Sequence, residues 1–81
     1  MIQKKIIMYT TSACVYCEQA KRFFREKNIQ WEEMNLEEHP EKVQEMIDKS
    51  GQMGVPVFDI EGEIIVGYDK RAIKMALGII D

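Results

Sequence analysis

Tyr9-Thr10-Thr11-Ser12-Ala13-Cys14-Val15-Tyr16-Cys17 is the stretch whose reading decides the fold. It holds the only two cysteines of the chain, spaced C-x-x-C. The apolar run Ile6-Ile7-Met8-Tyr9 leads into it, and a helical pattern follows. A strand therefore delivers Cys14 to the first turn of a helix. Free backbone N–H groups and the positive end of the helix dipole meet there, and both stabilise a thiolate.

Working outward, Ile6 to Thr10 is continuous, β-branched and aromatic-rich, as buried parallel strands are. Thr11 and Ser12 are candidates for the loop and the helix cap. The first helix is expected from about Cys14 to Lys27, with Ala13, Cys17, Ala20 and Phe24 as its buried stripe and Phe23 beside it. This phase separates the two thiols: Cys14 sits at the helix mouth, exposed and acidic, and Cys17 falls on the shielded face. Asn28 suits the left-handed conformation that ends a helix.

Trp31 to Leu36 reads as a second strand, close enough to the helix for a right-handed parallel crossover. Glu37 to Pro40 connects it to a second helix. Pro40 suits that helix's first turn, and Val43, Met46 and Ile47 share one face before the stop at Ser50-Gly51. Val57 to Ile60 and Glu63 to Val66 form a hairpin across Glu61-Gly62. Gly67 breaks the last strand, and Asp69 caps a third helix with Ile73, Ala76, Leu77 and Ile80 inward. Met8, Met34, Met46 and Met75 read as core filler. Met53, with Tyr16, Val55 and Tyr68, reads instead as an apolar rim around Cys14. The order β-α-β-α-β-β-α predicts one α/β domain, a four-stranded mixed sheet with three helices.

Bulk properties narrow the function classes. At 81 residues the chain makes one domain, and such a domain buries only about 60% of its unfolded surface. A formal net charge of −3 argues against nucleic acid as the main partner. Two cysteines are too few for a secreted disulfide scaffold. Gln3-Lys4-Lys5 is followed by only a short apolar run, unlike a secretory leader. No apolar run approaches the roughly 20 residues that span a bilayer. The expectation is a soluble cytoplasmic monomer with no membrane association.

Three constellations carry chemistry. The first is the cysteine pair. Zinc needs about four ligands, and only His39 stands beyond the pair, in a distant connector, where it reads as a solvated loop residue; no metal is expected. Two buried small hydrophobes would explain Cys17 but not Cys14 at a helix start. A redox pair explains both: the Cys14 thiolate attacks a disulfide, and Cys17, one helical turn on, resolves the mixed disulfide. Lys21, four residues after Cys17, either aids the thiolate weakly or belongs to a solvated face with Glu18 and Glu26. The second constellation is Val55-Pro56. It is either a cis bond that frees the Val55 backbone to pair with an extended substrate, or a simple strand-start proline. The third is Gly67-Tyr68-Asp69. Its helix N-terminus can hold a carboxylate, and Asp69 can merely cap its own helix.

Taken together, Ile6-Ile7-Met8-Tyr9-Thr10, Cys14-Val15-Tyr16-Cys17, Val55-Pro56-Val57-Phe58 and Gly67-Tyr68-Asp69 resemble the glutaredoxin family of the thioredoxin fold, over nearly all of the chain. The resemblance implies a thiol–disulfide oxidoreductase with Cys14 as nucleophile, Cys17 as resolving thiol and Pro56 as a cis-proline. It implies a glutathione site from Tyr16, Val55, Tyr68 and Asp69, no bound cofactor, glutathione as co-substrate and disulfide-containing proteins as partners. Many members carry lysine where this chain has Thr11, and Gln52 stands where members often place a polar contact to glutathione. Val15, Gly54 and Val66 also depart from the usual pattern. These departures look like those of redoxins that use thioredoxin reductase, and Val15 resembles redoxins that supply ribonucleotide reductase with electrons. Glutathione and a thioredoxin reductase both stay open as the electron source. A reading of another class is a non-catalytic module that docks partners or holds an iron–sulfur cluster, against which the second cysteine argues.

Overall fold

Along β1 (Ile6–Thr10), Ile6, Met8 and Thr10 point one way and Ile7 and Tyr9 the other, as a period of two requires. Each set seeds its own core. The computed structural model describes residues 3–79. Its elements are β1, α1 (Val15–Glu26), β2 (Glu32–Asn35), a 3-10 turn (Pro40–Lys42), α2 (Val43–Ser50), β3 (Val57–Ile60), β4 (Glu63–Val66) and α3 (Lys70–Leu77). The sheet order is β2-β1-β3-β4. β1 runs parallel to β2 and antiparallel to β3, and β3 runs antiparallel to β4.

On one face, Ile6 and Met8 pack with Ala20, Phe23 and Phe24 of α1, Ile73 and Ala76 of α3, and Phe58, Ile60 and Ile65 of the sheet. On the other face, Tyr9 and Val57 pack with Leu36 and with Met46 of α2. Three layers result, and the expected mixed sheet with three helices is present. The hairpin turn carries positive φ at Glu61 (50°) and Gly62 (97°), the backbone that a two-residue turn between twisted strands needs. Asn28 takes the left-handed conformation at φ 56°, as expected for a helix end.

Several expectations are corrected. Ala13 is exposed, because the helix begins at Val15 and its phase does not extend back that far. Met75 is 73% exposed rather than core: two positions from Ile73 on a helix is nearly the opposite side. The second helix starts as a 3-10 turn at Pro40 and becomes α-helical only at Val43. Thr11 and Ser12 do not cap α1; Cys14 does. Ile80 lies outside the described residues.

The α2 face contains a polar knot. Lys49 Nζ donates to Asp59 at 2.7 Å and to the Tyr9 hydroxyl at 2.9 Å, and that hydroxyl donates to Glu45. Burial and then the Glu45 bond raise the Tyr9 hydroxyl above its ordinary pKa. The Lys49 bond holds the Asp59 carboxyl below its usual range, and the Tyr9 bond does the same for Glu45. Depressed carboxylates contribute stability that is present above their unfolded pKa of about 4 and lost as pH falls through the lower folded value. Acid unfolding is therefore expected below about pH 4. Lys49→Met removes the cation and should move the acid midpoint to higher pH, read by circular dichroism along a pH titration.

Candidate redox site

Four connections meet at one end of the sheet. They are the ends of β1, β2 and β4 and the start of β3, because only β3 enters the sheet from that side. In order across the sheet stand the loop after β2, the loop holding Cys14, the Val55-Pro56 entry to β3, and the Gly67-Tyr68-Asp69 corner.

Cys14 has extended backbone (φ −129°, ψ 103°) and is the N-cap of α1. Its Sγ accepts the Cys17 N–H at 3.1 Å, taking the place that a serine or aspartate oxygen fills at other helix starts. The two cysteines are joined in a disulfide, with Cα atoms 5.2 Å apart. Cys14 is half-buried and Cys17 is 0% exposed. On reduction, the same amide and helix end would face a Cys14 thiolate, and only that sulfur has a route to solvent. The burial of Cys17 follows the helical phase, whereas Cys14, expected to be exposed, is half-buried because it caps the helix.

The Val55-Pro56 peptide is cis. Pro56 is buried, and its carbonyl accepts the Gly67 N–H at 2.8 Å, which ties the third connection to the fourth. Gln52 grips the segment ahead of it: its Oε1 accepts the Gly54 N–H at 2.6 Å, and its Nε2 donates to the Gly54 carbonyl at 3.0 Å. The amide expected to face a ligand is thus committed to its own loop. Asp69 Oδ1 accepts the Ala72 N–H at 3.0 Å, so its carboxylate caps α3. Tyr68 is half-buried and packs on the α1/α3 core; burial, then the charge of Glu26, raises its hydroxyl above the ordinary pKa. Val55 is half-buried against the Tyr9 core, and Thr11 is half-buried beside Ser12. Val15 (71%) and Tyr16 (61%), between the two cysteines, and Met53 (72%), in the segment ahead of Val55-Pro56, are exposed, and these three are the large apolar residues left most open at this end of the sheet.

Lys21 is placed differently from either expectation. Its side chain is only 13% exposed, and it bridges Glu33 of β2 at 2.8 Å and Glu18 at 3.2 Å; Glu26 is not its partner. Glu33 also accepts from the buried Thr10 hydroxyl at 2.9 Å. Burial works against the Lys21 charge, but the two carboxylates outweigh it and raise its pKa. This brace joins α1 to β1 and β2 directly behind the redox loop. The signal for it lay in the parallel register, which sets Glu33 beside Met8 and hence on the α1 face. Glu33→Gln keeps an acceptor for Thr10 and loses the ion pair. We expect a loss of about 1 kcal/mol, the scale of a partly exposed pair, read as a lower denaturant midpoint.

His39 pairs with Glu41 at 3.5 Å, in the connector where it was expected. Among the described residues no group of three or more His, Cys, Asp or Glu side chains is arranged to hold a metal ion.

The glutaredoxin family model matches residues 6–65, from β1 through β4. The chain belongs to the glutaredoxin family. This glutaredoxin is 38% identical over 68 residues to an uncharacterized glutaredoxin-like 8.6 kDa protein of the rubredoxin operon in Clostridium pasteurianum, covering 84% of this chain and 91% of that one. It is 32% identical over 74 residues to glutaredoxin 3 of Escherichia coli K12, covering 91% and 89% of the two chains. Among solved structures, methanoredoxin of Methanosarcina acetivorans superposes with a TM-score of 0.81 at 25% identity, over 95% of this chain and 87% of that one. Family and C-x-x-C pair together make it a thiol–disulfide oxidoreductase of thioredoxin-like fold, with Cys14 and Cys17 as the redox couple.

Proposed function

We propose that this glutaredoxin reduces disulfides of protein partners in the cytoplasm, as a monomer without a resident cofactor, by a two-thiol cycle. The observation that carries this reading is the division of labour at α1, with Cys14 capping the helix and Cys17 wholly buried one turn on. The Cys14 thiolate attacks one sulfur of the target disulfide, and the other sulfur leaves as a thiolate and takes up a proton. Cys17 then loses its proton and attacks Cys14 Sγ. The target leaves as its second thiol, and the protein keeps the disulfide seen here. The Val55 backbone, ahead of the cis bond, would align an extended target chain by strand-like pairing.

The cycle needs a reductant. Glutathione is the co-substrate that the family resemblance implies. Against it, the Gln52 amide is clasped to Gly54, and position 11 holds an uncharged threonine. These commitments favour a thioredoxin reductase as the electron source. Supply of electrons to ribonucleotide reductase is one use that such a donor would serve. The test offers oxidised protein two reductants in parallel: glutathione with its reductase, and NADPH with thioredoxin reductase. Reduction by the second alone is expected; reduction by glutathione alone would reverse the assignment. In the reduced protein, Cys14 should alkylate at least about tenfold faster than Cys17 near neutral pH, and equal slow labelling would remove the basis for the cycle.

A further inference from the structure

The apolar rim has an uneven surround. On the α3 side of the sheet stand Lys70 and Arg71, beyond β3 and β4. On the β2 side, next to the redox loop itself, stand Glu37 and Glu38, both exposed. Their placement is built rather than incidental. Asn35 Oδ1 accepts the N–H of Glu37 at 2.8 Å and of Glu38 at 3.3 Å, which turns the chain sharply as β2 ends. Asn35 Nδ2 and the Glu37 carboxylate then reach Ser12, at 3.5 Å to its hydroxyl and 3.4 Å to its N–H. Ser12 is two residues ahead of Cys14. Glu18, in the first turn of α1, is paired with Lys21, which it shares with Glu33. Among the described residues no salt bridge engages Glu37 or Glu38.

A rim of exposed Val15, Tyr16 and Met53 with an unneutralised acidic shoulder complements a surface that is apolar at its centre and basic on one flank. We infer that Glu37 and Glu38 select protein disulfides that carry lysine or arginine beside the target cystine, with the basic flank lying over the β2 side. This rests on the disulfide-reducing reading of the same site. Exposed carboxylates act mainly by steering encounter, so the effect belongs to the second-order rate and fades with salt. An anionic small disulfide, such as a glutathionyl group, meets the opposite field.

Two synthetic peptides test it. Each has the same intrachain disulfide, flanked by lysines in one and by glutamates in the other. Excess peptide is mixed with fully reduced protein and quenched in acid, and the peptide thiols are counted by chromatography. At low salt the lysine peptide should react about tenfold faster. Near 1 M salt, where the screening length is about 3 Å, the ratio should approach one. The double substitution Glu37→Gln, Glu38→Gln should bring the low-salt ratio to about one as well. Equal low-salt rates, or a ratio that survives the double substitution, would overturn the shoulder's role while leaving disulfide reduction standing. If the reduced protein converts neither peptide, the cycle proposed above is wrong and the selectivity falls with it.

Discussion

Cys14→Ser should abolish disulfide reduction, by more than about a thousandfold, the scale seen when an enzyme loses its nucleophile. The serine hydroxyl can still accept the Cys17 N–H and cap α1, so the fold should survive. Cys17→Ser should behave quite differently. Cys14 remains able to attack, but nothing resolves the product, and protein and target accumulate as a mixed disulfide. Intact-protein mass spectrometry after mixing with a disulfide peptide separates the cases: an adduct with Cys17→Ser, none with Cys14→Ser. An adduct on Cys14→Ser would mean that the buried sulfur attacks, and the assignment of roles would have to be exchanged.

Phe24→Ala should cost about 3–5 kcal/mol, which for a domain of this size approaches its entire stability. Phe24 is 0% exposed and lies at the centre of an aromatic group, with ring centroids 5.8 Å from Phe23, 5.5 Å from Trp31 and 5.9 Å from Phe58. It fastens α1 to β3 and to Trp31 just ahead of β2 together, so no single neighbour can relax into the space. Urea titration followed by Trp31 fluorescence gives the measurement, since the indole packs at a tilt against the deleted ring. Phe24→Leu should lose much less, about 1.5 kcal/mol, because it keeps most of the buried volume. A loss below about 1 kcal/mol for the alanine variant would show that the core collapses more easily than its packing implies.

Much of this was legible in the chain itself. The continuous apolar run Ile6-Ile7-Met8-Tyr9 marks the buried strand, and the period of α1 places the two sulfurs in different environments without any tertiary information. The hairpin followed from Glu61-Gly62, and the α3 cap from Asp69. What escaped depended on where phases start and on who stands opposite. Ala13 misled because a helical stripe was extended one residue before the cap, and Met75 because methionine is apolar wherever it faces. The partners of Lys21 could not be chosen from helix spacing alone, since Glu26 lies on the same helix and Glu33 arrives only through strand pairing. The resemblance placed Gln52 at a glutathione contact, and family pattern does not reveal that its amide, two residues from Gly54, closes on the backbone beside it.

The burial of Cys17 beneath a half-buried cap also bears on chemical damage. An oxidant meeting the reduced protein finds Cys14 first and converts it to a sulfenic acid. The neighbouring thiol, whose Cα is 5.2 Å away in the closed pair, condenses with that species and expels water. The sulfur is thereby withdrawn before a second equivalent can carry it to the irreversible sulfinic state. The arrangement that completes turnover makes peroxide exposure end in a form that the cell's own reductant can restore.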